Sequence, residues 1–202
     1  HMSGATSYLG LDLAGSHWAD ALIGLTIILG FVFGAALSGF IIGARQLMPG
    51  RRYGLAFICE GALLAMGMGL LLGQRHAGLA LVAMACGLQN AMTSSYCGLI
   101  IRTTHVTGTV TDIGVMIGHW LRHRQIERHK LRFLLAVITA FAGGIVLGAW
   151  ADGWIGSSAL SLPAAGCLRA GIVIWLSARR GWLNASLVDE SKPPRTASFP
   201  EP

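Results

Sequence analysis

Five apolar runs, separated by short polar loops, constrain this chain more than any other feature. They cover residues 19–44, 53–73, 77–101, 133–150 and 158–178. A hydrocarbon core about 30 Å thick takes roughly 20 apolar residues as an α-helix rising about 1.5 Å per residue. Lipid offers no partners to backbone N–H and C=O groups, so runs of this length cross as helices. Charged residues make up 12% of the chain, where a soluble domain carries about 25%. The expected fold class is therefore all-α: a polytopic helical membrane protein with five spans. A formal charge of +6 would suggest nucleic acid in a soluble protein. Here it sets orientation, and no nucleic-acid partner is expected.

One segment sits badly among the spans. Residues 102–120, RTTHVTGTVTDIGVMIGHW, hold five threonines, two histidines, an aspartate and three glycines. Thr107-Gly108-Thr109 suggests a chain break. A short helix is expected over 110–121, with Thr109 or Thr111 as its cap. About 12 residues give roughly 18 Å, too short to cross, so the spacing predicts a re-entrant helix.

A related segment opens the chain. Residues 1–15 align without gaps on 105–119, with His1/His105, Gly4/Gly108 and Gly10/Gly114 identical. The offset is 105 − 1 = 104. Downstream, Gly34 and Gly39 match Gly143 and Gly148, and Glu60 matches Arg169, at an offset of 143 − 34 = 109. Each repeat then consists of span, short motif, span, span. Three spans is an odd number, so the copies are inverted, a layout found in many secondary transporters. The first repeat (1–76) lacks its leading span, and the second covers 77–182. The polar tail 183–202, with four prolines, is expected to be disordered.

Charge supports this topology. With re-entrant short motifs, loop 45–52, segment 102–132 and the tail from Arg179 share one side. That side carries thirteen of the fifteen basic residues; Arg75 lies opposite and Arg169 within a span. The positive-inside rule places that side, with the C-terminus, in the cytoplasm. Cys59, Cys86, Cys97 and Cys167 all fall in apolar spans without CxxC spacing, and read as packing residues. Small residues every fourth position, as in Gly30/Gly34/Ser38, Gly61/Ala65/Gly69/Gly73 and Gly144/Gly148, allow close helix approach and homo-oligomers.

The stretch GLQNAMTSSYCGLIIRTTHVTGTVTDIG, residues 87–114, resembles the later signature of the YoaK family of bacterial inner-membrane proteins, a domain of unknown function. The matching residues are Gln89-Asn90-Ala91, Thr103-Thr104-His105, Thr107-Gly108-Thr109 and Thr111-Asp112. Where the family tends to have an early Thr-Gly-Asn, this chain has Ser3-Gly4-Ala5. The resemblance implies a fold, an inner-membrane location and one further span ahead of the first motif. It implies no activity.

Function has to come from the polar residues. Gln89 and Asn90 lie mid-span and either bond between helices or line a cavity. The threonines either satisfy a broken backbone or present a helix N-terminus to an anion or carbonyl. The expected solute site draws on Gln89, Asn90, Thr104, His105, Thr107 and Thr109, with Ser3 from the other repeat, where the two broken motifs meet. Asp112 is a cap partner or a proton or cation site. Glu60 and Arg169, each the only charge within its span, are expected to pair or to share a cavity. There is no Ser/His/Asp order, HExxH or phosphate loop, and no metal or cofactor is expected. The favoured reading is a small-solute transporter or channel and not an enzyme. The alternative is a non-transporting membrane protein, either an assembly subunit or a small membrane enzyme.

Overall fold

A computed structural model describes residues 2–43, 50–73, 75–94, 106–123 and 127–180. Among the described residues the protein is helical throughout. The helices are α1 (Met2–Ala14), α2 (Trp18–Ile42), α3 (Arg51–Leu72), α4 (Ala77–Ser94), α5 (Val106–His123), α6 (Arg128–Ile155) and α7 (Ser161–Arg179). A 3-10 segment, Gly156–Leu160, joins α6 to α7. Trp18–Ile42, Arg51–Leu72 and the stretch Arg128–Arg179 are long and apolar enough to cross a membrane, and Ala77–Met92 is a shorter apolar helix. Large side chains point outward along these helices: Phe40 is 89% exposed and Trp154 77%. Such an apolar surface is far larger than water tolerates on a monomer and suits a lipid solvent.

Glycine sets the packing. A Cβ added at Gly30 would lie 2.6 Å from the Ala80 carbonyl oxygen, and one at Gly34 would meet the Met84 carbonyl. Gly87 of α4 approaches the Phe31 carbonyl in return. On the other side of α4, Gly67 and Gly78 bring α3 and α4 together. Gly54 meets Gly171 and Trp175, and Gly61 meets Ala164 and Leu168, so α3 and α7 run antiparallel in close contact. These contacts assemble α2, α4, α3 and α7 in that spatial order. Without a hydrophobic force between helices in lipid, this close packing is the main source of association. Two buried clusters fill the seams. One joins Ile42, Tyr53, Ala56, Leu88 and Met92. The other joins Leu64, Ala85 and Ala164.

The remaining helices are arms. α1 packs on α2, and α5 makes limited contact with α6. Leu134 is the one buried residue of α6, and nothing lies within 4 Å of a Cβ added at Gly143, Gly144 or Gly148. The Gly144/Gly148 spacing therefore seats no helix of this chain among the described residues. Of the stripe on α3, Gly61 is used and Gly69 faces open space.

Several boundaries differ from expectation. The short helix begins at Val106 and runs to His123, 18 residues instead of about 12. Thr107-Gly108-Thr109 lie in its first turn and are helical. Thr111 is no cap: its hydroxyl donates to the Thr107 carbonyl, 2.9 Å away. A threonine bonded back one turn need not break a helix, and a single interior glycine costs only about 1 kcal/mol. α6 starts inside the expected basic loop and extends past Trp150 to Ile155. It stops at Gly156, where φ is +57°. The expected third span reaches beyond Ser94 into residues outside those described, as do the tail from residue 181 and the Thr103-Thr104-His105 run.

Candidate functional site

Among the described residues three polar side chains are buried in the packed helices: Ser38 on α2, Glu60 on α3 and Asn90 on α4. Asn90 donates its Nδ2 to the Cys86 carbonyl one turn earlier, at 2.9 Å. This satisfies part of an amide whose burial would otherwise be costly. Gln89, its neighbour, is half-buried.

Glu60 is the unusual member. It is only 3% exposed, and its Oε2 has no hydrogen-bond partner. Gly61, the next residue, sits where α3 and α7 touch, which brings Glu60 to the same seam. There the Cys167 thiol of α7 is hydrogen-bonded to the carboxyl group. Cys86 of α4 lies near enough to feel the Glu60 charge. A carboxyl group in contact with a thiol can hold or pass a proton. Among the described residues it has no cation beside it to balance a negative charge.

The expected Glu60–Arg169 pair does not form. Arg169 is exposed on α7, and the two side chains make no ion pair. The reason lies in helical phase. Ala164, Leu168 and Gly171 form the α7 face against α3, and at about 100° per residue Arg169 is turned well away from that face.

The other expected site residues are dispersed. Ser3 is exposed on α1, and Thr107 and Asp112 are exposed on α5, while Thr109 is half-buried. Thr104 and His105 lie outside the described residues. No substantial packing joins α1 to α5, since each rests on its own following helix. Among the described residues α1 and α5 make no substantial contact with each other. Gln89 and Asn90 stand apart from them, on the packed side of α4. Among the described residues no three His, Cys, Asp or Glu side chains gather as metal ligands would.

Two features were not anticipated from the sequence. Cys167 touches the buried acid, although its position in an apolar run marked it only as a packing residue. Ser38, assigned to a small-residue stripe, has a buried Oγ without a partner. An open groove along α2 and α4 is lined by Leu29, Phe33, Leu37, Phe40 and Met84, with Thr26 as its polar member. The Thr26 hydroxyl is occupied by the Leu22 carbonyl at 2.7 Å, so the groove offers little to a polar solute.

A family model for a protein of unknown function (DUF1275) matches residues 1–174. The chain belongs to this family. No curated protein and no solved structure matches the chain. The family match agrees with the resemblance carried by residues 87–114. It brings no activity with it, so the chemistry rests on the buried polar residues.

Proposed function

We propose that this family member is a small-solute transporter or channel of the bacterial inner membrane, built from two inverted repeats, with its C-terminus in the cytoplasm. The observation that carries the reading is the antiparallel crossing of α3 and α7 around a buried acid. Gly54 faces Gly171 and Gly61 faces Ala164. The midpoints of these contacts are (54 + 61)/2 = 57.5 and (171 + 164)/2 = 167.5, which are 110 residues apart. The starts of the same two helices, Arg51 and Ser161, differ by 161 − 51 = 110. A two-fold axis in the membrane plane through this crossing would exchange the two copies. Other elements agree with such an exchange. Ser7 donates to the Ser3 carbonyl as Thr111 donates to the Thr107 carbonyl.

Solute would pass along the seam of α3, α4 and α7, where Asn90, Gln89 and Glu60 supply donors and acceptors at the interface of the repeats. The arms α1–α2 and α5–α6 flank this unit. Ser3, Thr107, Thr109 and Asp112 lie on them and would line the approaches, with Thr104 and His105 next to α5 in the chain. Reconstitution into liposomes tests this across many solutes at once. Light scattering after osmotic shock with a panel of small polar solutes should show faster re-equilibration than in empty vesicles. Asn90→Leu should slow it about tenfold while leaving the protein folded.

A second reading is favoured by one observation. The face of α6 carrying Gly143, Gly144 and Gly148 has no partner among the described residues, as an assembly subunit would require. Wild-type vesicles no more permeable than empty ones to any solute would favour that reading over transport.

A further inference from the structure

Glu60 has a consequence that solute passage alone does not require. Its carboxyl group is 3% exposed and one oxygen is unpartnered. The elements packed against α3 bring it no compensating charge. From α7, Cys167 reaches the carboxyl while Arg169 is turned outward and exposed. From α4, Cys86 is the titratable neighbour. α2 carries a single charged residue, Asp20, in its first turn. The 3-10 segment Gly156–Leu160 holds no titratable side chain. On α3 itself, Arg51 and Arg52 are exposed at the N-terminal end, eight or more residues from Glu60 and so about 12 Å or more along the axis. Cys59 is half-buried. No cation among the described residues faces the acid.

An ionised carboxylate buried without a partner is costly enough that such a group takes up a proton instead. Intramembrane acids of this kind mark proton relays in pumps and transporters. We propose that Glu60 is the proton site of the protein, protonated in the packing seen here and deprotonated when the α3–α7 seam admits water. On opening, the carboxyl O–H gives its proton to an entering water. The carboxylate left behind accepts a hydrogen bond from the Cys167 thiol, already in contact. Closing the seam over an ionised Glu60 is penalised, so reprotonation is linked to closure. This makes the proton the coupling ion of the transport reading, on which its purpose rests, and assigns Glu60 as its carrier.

Infrared spectroscopy of the full-length protein in liposomes tests the site without any solute. The chain has four glutamates, Glu60, Glu127, Glu190 and Glu201. Carbon-13 labelling of glutamate identifies their bands in the unaltered protein, and Glu60→Gln or Glu60→Asp then assigns the buried one. The expected result is a protonated-carboxyl stretch at neutral pH that is lost in Glu60→Gln. It should shift in heavy water within minutes and disappear reversibly at alkaline pH. Absence of that band in the wild-type protein would show an ionised Glu60 and overturn the proposal. A band that neither shifts in heavy water nor titrates would show a sealed structural acid and overturn it as well. Failure of the solute-permeability experiment with a shifting, titrating band would instead remove the transport reading and leave the proton site standing.

Discussion

Gly54→Ala is the sharpest test of how the helices are held. A Cβ at Gly54 would stand 2.8 Å from the Trp175 nitrogen, 2.9 Å from the Gly171 carbonyl oxygen and 2.9 Å from the Trp175 Cβ. Two of these atoms are backbone, so no rotamer change relieves them. Reaching an ordinary contact of 3.4 Å requires the helices to separate by about 3.4 − 2.8 = 0.6 Å. A gap of about 0.5–1 Å forfeits a quarter to a half of each dispersion contact along the seam. Overpacking of this sort costs about 1–3 kcal/mol. Gly148→Ala on α6 is the matched control. Nothing lies within 4 Å of its new methyl group, and alanine is favoured over glycine within a helix by about 1 kcal/mol. The two variants should therefore differ in stability by roughly 2–4 kcal/mol, in opposite directions from the wild type. Reversible unfolding in mixed micelles, followed by tryptophan fluorescence, measures the difference. Equal stabilities for the two variants would refute glycine-mediated contact between α3 and α7.

Glu60→Gln and Arg169→Gln should have additive effects on stability within about 0.5 kcal/mol, because the side chains make no ion pair. A double mutant that recovers more than that from either single loss, in the same unfolding assay, would show that they interact. Gly156→Ala should destabilise by about 1–3 kcal/mol even though nothing crowds the position, since φ +57° and ψ −145° belong to a region almost restricted to glycine. An unchanged unfolding midpoint would mean that the link between α6 and α7 is not held in that conformation.

Much of the fold could be inferred from hydropathy. The apolar run 53–73 corresponds closely to α3, Arg51–Leu72, and the run 19–44 to α2, Trp18–Ile42. Boundaries failed where polar residues had two uses. Thr107, Gly108 and Thr109 have the composition of a break, but a hydroxyl that bonds one turn back, as that of Thr111 does, is compatible with an unbroken helix. The burial of Glu60 and Asn90 followed from their mid-span positions. Their neighbours did not, because Glu60 and Cys167 come together from two separate helices and no spacing encodes that. Arg169 shows the limit of depth as a guide. It lies at a level along the α3–α7 seam comparable with that of Glu60, yet helical phase turns it away from the shared face.

Glycine spacing shows the same limit from another direction. Gly34 and Gly143 are related by the downstream offset, and both lie within long apolar helices. Gly34 is pressed against the Met84 carbonyl, while Gly143 faces open space. The residue is the same, so the difference lies in what comes alongside. α2 has α4 as its neighbour, and α6 has only α5 and the 3-10 segment among the described elements. A small-residue stripe therefore states that a helix can be approached closely, and the topology decides whether it is. The consequence for function is mechanical. Seams closed by backbone contact at Gly30 and Gly54 yield there only by movement of the helices themselves, because no side chain can swing aside to open them. In the proposed proton cycle, admitting water to Glu60 would move α7 against α3 at Gly54. The sparse contacts of α6 with the rest of the described residues leave α7 connected at that end through the 3-10 segment that begins at Gly156.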